Sequence, residues 1–151
     1  MEALRIRRAR DTDLAALDAL YRELHGDEYE TYAAGPRALR TAFFRIARNP
    51  DHYLLVAERG VKIVGTLHLL VFRHLGHGLK SIAIVENVVV GTAMRSQGVG
   101  ERMLEAACEI AKAAGCYKLS LTTNVKRERA HRFYERLGWR KSHFGYTLAL
   151  D

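Results

Sequence analysis

An apolar, β-branched run, Ile82-Ala83-Ile84-Val85-Glu86-Asn87-Val88-Val89-Val90, leads through a short polar loop into Arg95-Ser96-Gln97-Gly98-Val99-Gly100. From Gly98 the period changes. Val99, Met103, Ala107, Ile110 and Ala114 fall on one helical face, with Glu101, Arg102, Glu105, Glu109 and Lys112 turned away. Gly115 supplies the residue a helix end favours. The pattern is a strand aimed at the start of a helix, and it restricts the chain to α/β architectures.

Such a junction has chemical consequences. Glycine lets the backbone turn sharply and lets a ligand come close. The first amides of the helix have no partner within it, and the helix dipole adds roughly half a positive charge. With Arg95, the stretch Arg95, Ser96, Gln97, Gly98, Val99 and Gly100 is a seat for a phosphate or pyrophosphate. It is not a P-loop, because no Lys-Ser or Lys-Thr follows Gly100. It is not the three-glycine dinucleotide fingerprint either.

The chain is 151 residues long, which predicts a single domain over 1–151 with a real core. No apolar stretch approaches the ~18 residues of a membrane span. The arginine-rich start has no apolar segment behind it, unlike a secretory signal, so a cytoplasmic protein is expected, with no membrane partner. The net charge of +7 suits a polyanionic ligand. Nucleic acid is not expected: Glu128 and Glu135 interrupt the basic run Lys126, Arg127, Arg129, Arg132, and no nucleic-acid motif is present. Cys108 and Cys116 read as small buried residues. The seven histidines offer no third ligand at metal spacing, so no metal site is predicted.

In chain order, alternation predicts a first strand over 3–9. A helix begins near Asp11-Thr12-Asp13 and ends at His25-Gly26. Asp27 to Tyr32 reads as an acidic, aromatic loop. Pro36 opens a second helix that reaches about Arg48, and Asn49-Pro50-Asp51 is a turn. His52 to Glu58 and Val61 to Arg73 read as strands joined by a tight turn at Arg59-Gly60. After the central helix come a strand over 117–122 and a helix over 127–137. Trp139–Ser142 and Phe144–Leu150 read as a last strand or hairpin. The expected order is βααβββαβαβ, a mixed α/β sheet of about six or seven strands flanked by helices.

The run Thr123 to Trp139 is the second signature. Ala130, Phe133 and Leu137 form a narrow apolar face, with Tyr134 at its edge. Arg-x-x-Gly-x-Gly after a valine-rich strand, then Ala-x-x-Phe-Tyr-x-x-x-Gly-aromatic one strand later, resembles the two coenzyme A motifs of the GNAT superfamily of acyl-CoA-dependent N-acyltransferases. The likeness spans essentially the whole chain. It implies a fold in which strands four and five splay and acetyl-CoA enters the gap. The pantetheine arm would lie along Val88, Val89 and Val90, the pyrophosphate on Arg95 to Gly100, and Asn124, Arg127 and Phe133 beside the cofactor. Tyr134 matches the tyrosine that protonates the leaving thiolate. Two positions depart from the family pattern. Thr92 stands where many members have proline, predicting a less rigid loop. Arg127 stands where many have asparagine, leaving Asn124 to take over its contacts. The family often dimerises, so a homodimer is compatible with the likeness.

Attack on a thioester needs a neutral amine, and freeing a lysine-like amine at pH 7 costs about 4.6 kcal/mol. A base must take that proton. Glu86, interrupting an apolar strand where burial would raise its pKa, resembles the base of polyamine acetyltransferases; alternation alone does not place it on either sheet face, and pairing to a nearby arginine or lysine is the competing reading. The backbone N–H of Val88 can serve the oxyanion. Thr123-Asn124-Val125-Lys126-Arg127, Ala130 to Tyr134 and Ser142-His143-Phe144 look like aminoalkylphosphonate N-acetyltransferases, implying a small-molecule amine acceptor bearing a phosphonate and admitting help from a divalent metal. Asp27, Glu28 and Glu30 argue instead for a cationic acceptor such as a polyamine.

Overall fold

The computed structural model describes residues 2–150. The chain divides into two compact units, one ending at Ser120 and one beginning at Leu121.

In the first unit, β1 (Leu4–Arg8) leads to α1 (Leu14–His25), the short α2 (Tyr29–Tyr32) and α3 (Pro36–Ala47). The strands β2 (His52–Arg59), β3 (Lys62–Phe72) and β4 (Ser81–Val90) follow, then α4 (Val99–Ala113) and β5 (Cys116–Leu121). The sheet has five strands in the order β1-β2-β3-β4-β5. Antiparallel ladders join β1 to β4, and the crossover through α4 makes β4 and β5 a βαβ unit. The core is Leu55, Val56, Leu67, Leu69, Val71, Ala83 and Val85 from the sheet, with Leu17 and Leu20 of α1 and Val99, Met103, Leu104 and Ala107 of α4.

The two faces of the sheet can be told apart. A Cβ added to Gly65 would meet the Met103 side chain at 3.2 Å, so Gly65, Leu67 and Leu69 look toward α4. Tyr21 of α1 lies beside Thr66, so Thr66 and, by alternation, His68 look toward α1.

Several expectations change. Among the described residues the sheet has five strands rather than six or seven, because 139–150 forms no ladder. Phe144, Tyr146, Leu148 and Leu150 alternate as a strand would, yet Tyr146 is 95% exposed. Alternation describes the face a strand would offer; only a hydrogen-bonded neighbour makes one. The acidic loop is largely helical, a 3₁₀ turn over Gly26–Glu28 running into α2. Tyr29 is buried and donates to Asp18, which supplies the anchor that a polar loop lacks. The hairpin turn is Gly60-Val61, with Arg59 still in β2.

In the second unit, α5 (Glu128–Arg136) is held by a short network at its start. Asn124 Oδ1 accepts from the Lys126 amide at 2.9 Å, and the Asn124 carbonyl accepts from the Arg127 amide at 3.0 Å. Gly138, at φ +86°, ends the helix.

Candidate functional site

The first half of the site is a break in the β3–β4 ladder. Thr66 pairs with Val89 and His68 with Glu86, so Asn87 and Val88 together face Leu67. This two-against-one arrangement is a β-bulge. Asn87 carries the left-handed backbone, with φ +51°, and asparagine is among the few residues that tolerate it. β4 and β5 are neighbours in the sheet but touch far less than β3 and β4 do. Such sparse pairing fits the expected splay of the two strands.

The bulge also settles the orientation of Glu86. Directly paired residues share a face, so Glu86 stands beside His68 on the α1 side. It is exposed rather than buried. No ion pair engages its carboxylate among the described residues. The burial expected of Glu86 is therefore not found.

The second half is the loop before α4. Gly98 caps the helix at φ +76°, and no side chain caps its first turn. The amides of Val99, Gly100 and Glu101 thus precede the first intrahelical bond, Arg102 N to the Gly98 carbonyl at 3.1 Å. A Cβ on Gly98 would meet nothing within 4 Å. Ser96, at φ +60°, adds a second left-handed residue to the loop. Arg95 folds back, its Nε donating to the Val90 carbonyl at 3.2 Å. Gln97 donates to the Ala93 carbonyl at 3.1 Å and accepts from Arg59 Nη1 at 2.8 Å. Open amides, left-handed glycine and two guanidinium groups fit a diphosphate.

Two contacts here escape the sequence. Arg59 comes from the end of β2. Glu23 of α1 accepts from both the Thr92 amide and the Thr92 hydroxyl at 2.8 Å. The bond from the Thr92 amide, more than any other influence, holds the Glu23 carboxyl below its usual range. The loop that lacks proline at Thr92 is thus tied down by a carboxylate, not left slack.

In the second unit, Phe133 lies between the Tyr134 ring, 5.2 Å away, and the Arg136 guanidinium, 5.8 Å away. Tyr134 also meets Trp139 at 5.8 Å. Burial pushes the Tyr134 hydroxyl up, partly offset by the charge of Arg127. A tyrosine held protonated well past neutrality is suited to giving a proton to a thiolate. Asn124 has its side-chain oxygen committed to Lys126, leaving the NH₂ for other partners. His131 Nε2 is 2.9 Å from the Asn124 carbonyl and His143 Nδ1 2.8 Å from Ser142 Oγ, so both histidines are used locally.

Residues 17–139 match the model of the Acetyltransferase (GNAT) family. The chain belongs to the GNAT family. It is an acyltransferase, and acetyl-CoA is its co-substrate. It is similar to the aminoalkylphosphonate N-acetyltransferase of Salmonella typhimurium, 35% identical over 150 residues, covering 99% of this chain and 94% of that protein. It also resembles a glucosamine 6-phosphate N-acetyltransferase of Trypanosoma brucei brucei, 34% identical over 79 residues, with 52% of each chain covered. A transcriptional regulator from Bacillus halodurans C-125 has the same fold, with a TM-score of 0.90 at 30% identity over 98% of this GNAT chain and 100% of its own.

Cys108 and Cys116 are free and half-buried; burial pushes the Cys116 thiol up, which disfavours a nucleophile. Among the described residues no group of three His, Cys, Asp or Glu side chains could hold a metal ion. Among the described residues no helix is long and apolar enough to cross a membrane.

Proposed function

We propose that this acetyltransferase acetylates the primary amine of a small phosphonate- or phosphate-bearing molecule, an aminoalkylphosphonate before others, by direct attack in a ternary complex. The observation that carries the reading is the 35% identity to an aminoalkylphosphonate N-acetyltransferase over nearly the full length of both chains. The local charges support it. Glu30 is paired to Arg22, and Asp18 is held by Tyr29 and Arg22, so among the described residues Asp27 and Glu28 are what remains of the acidic segment without such an ion pair. A polycationic acceptor loses most of the negative rim it would need.

In this mechanism Glu86 takes the proton that an ammonium must shed, and the exposed carboxylate is open to the acceptor. The Val88 amide donates to the carbonyl oxygen as it gains charge. Tyr134 gives its proton to the departing thiolate. Val88, Val89, Val90, Arg95 to Gly100, Asn124, Arg127 and Phe133 hold the acetyl donor.

The test is thiol release from acetyl-CoA with 2-aminoethylphosphonate, glucosamine 6-phosphate, spermidine and a lysine peptide. The expected order places the phosphonate first by kcat/KM. A preference for spermidine by tenfold or more would refute the acceptor class, and no release with any amine would refute catalysis.

A further inference from the structure

His52 Nδ1 and His68 Nε2 lie 2.9 Å apart, with ring centroids 5.1 Å apart. The two residues are sixteen positions apart in the chain. They meet because the β2–β3 register sets His52 opposite Leu70 and Leu54 opposite His68, which makes the histidines diagonal neighbours on one face. In the next ladder His68 is directly opposite Glu86. Directly opposed residues have Cβ atoms about 4.5–5.5 Å apart, so a carboxylate and an imidazole there are within reach of each other through one water. Glu86, His68 and His52 thus form a diagonal row across β4, β3 and β2 on the α1 side of the sheet. The row ends at the first residue of β2, beside the turn at Asn49–Asp51.

We propose that His68 and His52 are a proton outlet for acetyl transfer, drawing from Glu86 the proton shed by the acceptor and passing it to the outer end of β2. The inference rests on Glu86 being the group that deprotonates the amine. The balance requires an outlet. An ammonium loses two protons on becoming an amide. The new N–C bond forms as the C–S bond breaks; the thiolate takes one proton through Tyr134, and the other must leave. With the acceptor lying over Glu86, its proton needs a route that does not cross the substrate. A proton entering His68 at Nδ1 releases the shared hydrogen on Nε2 to His52 Nδ1, and His52 gives up its own proton from Nε2. Two imidazolium rings at this distance would oppose N–H to N–H, so the pair carries one extra proton at most.

The surroundings suit a transient carrier. Burial first, then the charge of His52, holds His68 below the ordinary imidazole value, so it is neutral and ready at pH 7. Nearby charges are otherwise occupied or distant in role. Tyr21 of α1 is half-buried beside Thr66, and Asp18 is engaged by Tyr29 and Arg22. On α3, Arg40 pairs with Asp11, and Arg37, Arg45 and Arg48 are exposed. His52 and His68 touch neither substrate in this scheme; they are positioning residues for the proton.

The experiment is steady-state kinetics of His68→Asn and His52→Asn with the best acceptor, from pH 5.5 to 9, alongside ¹⁵N spectra of the imidazoles. The expected result for His68→Asn is a fall in kcat of about 10²-fold, the lower end of what proton transfer contributes, with both KM values within about twofold. The acid limb of the kcat profile moves, and added imidazole restores part of the rate to His68→Gly. His52→Asn shows a smaller fall of the same kind. A kcat within about twofold in both variants with an unchanged profile would overturn the proposal; so would a loss confined to KM and thermal stability with no imidazole rescue. If the unaltered enzyme releases thiol with no amine, the acetylation reading has failed instead. The spectra then judge the pair alone: two rings titrating independently at the ordinary histidine value exclude the outlet, while a single shared proton taken up below that value supports it.

Discussion

Replacing Gly98 by alanine separates what the glycine does for the fold from what it does for the ligand. Gly98 sits at φ +76° and a Cβ there meets nothing within 4 Å. The folded-state cost is therefore backbone strain alone, about 1–2 kcal/mol. For a chain of this size, each kcal/mol lowers Tm by roughly 2–4 °C, so a drop of roughly 2–8 °C is expected. Gly115 is an internal control. It too sits at φ +76° with nothing within 4 Å, at the other end of α4. The helix has 15 residues, which at 1.5 Å each separates the two glycines by roughly 22 Å. Gly115→Ala should cost a similar amount of stability and leave acetyl-CoA affinity unchanged. Gly98→Ala puts a methyl beside the Val99 amide, into the open space a diphosphate would enter. Loss of one good charge-assisted contact there, about 1.4 kcal/mol, weakens acetyl-CoA tenfold. Calorimetric titration with acetyl-CoA and a thermal melt of each variant give both quantities. Equal acetyl-CoA affinities in the two variants would refute the assignment of this loop as the diphosphate seat. A Tm unchanged in both would refute the strain argument.

Other perturbations test other parts. Tyr134→Phe should lower kcat by about 10²-fold while acetyl-CoA still binds, since only the proton is removed; single-turnover thiol release checks it. Glu23→Ala unclasps Thr92 and should raise the KM for acetyl-CoA about three- to tenfold, with a stability loss no larger than the ~1 kcal/mol of an exposed contact. Glu23 and Asp13 both have folded pKa values below their unfolded ones, Asp13 chiefly through its bond to Arg7. Their contribution to stability is full above the unfolded values, near 4, and is lost as pH falls through the lower folded values; melts between pH 2 and 6 should show that direction. Arg7 donates to Asp13 at 2.7 and 3.0 Å and to Glu58 at 2.8 Å, with Asp13 buried. Arg7→Ala should cost about 3 kcal/mol in urea unfolding by stranding that carboxylate, and Arg7→Lys should recover only part, lacking the fork.

Much of the local structure at the proposed cofactor seat was legible because it is set by near neighbours in the chain. The period of α4, the glycine before it and the Phe133-Tyr134 pair on α5 are set by residues within a few positions of one another. What stayed hidden depends on register. Glu23 and Thr92 are 69 positions apart, and Arg59 and Gln97 are 38; no pattern in either segment announces the other. His52 and His68 looked like two scattered histidines until the ladder placed them diagonally. Glu86 could not be assigned a face because Ile82 to Val85 are apolar at every position, so alternation marks neither side. At the C-terminal end, alternation over 144–150 suggested a strand, but pairing depends on a neighbour that alternation cannot supply.

The extra residue at Asn87 has a consequence for how this protein can change over time. Before it, odd-numbered side chains of β4, Ala83 and Val85, look toward α4; after it, Val89 is opposite Thr66 and looks toward α1. Deleting Asn87 would mend the ladder without sending any side chain to the other face, since Val88 would then oppose Leu67 while Val89 stays opposite Thr66 and Val90 opposite Gly65. What disappears is the local bend and twist that the surplus residue imposes. A lineage can therefore discard the irregularity in one step without repacking the interior, so its persistence in descendants would report a use for the bend and not a need of the core.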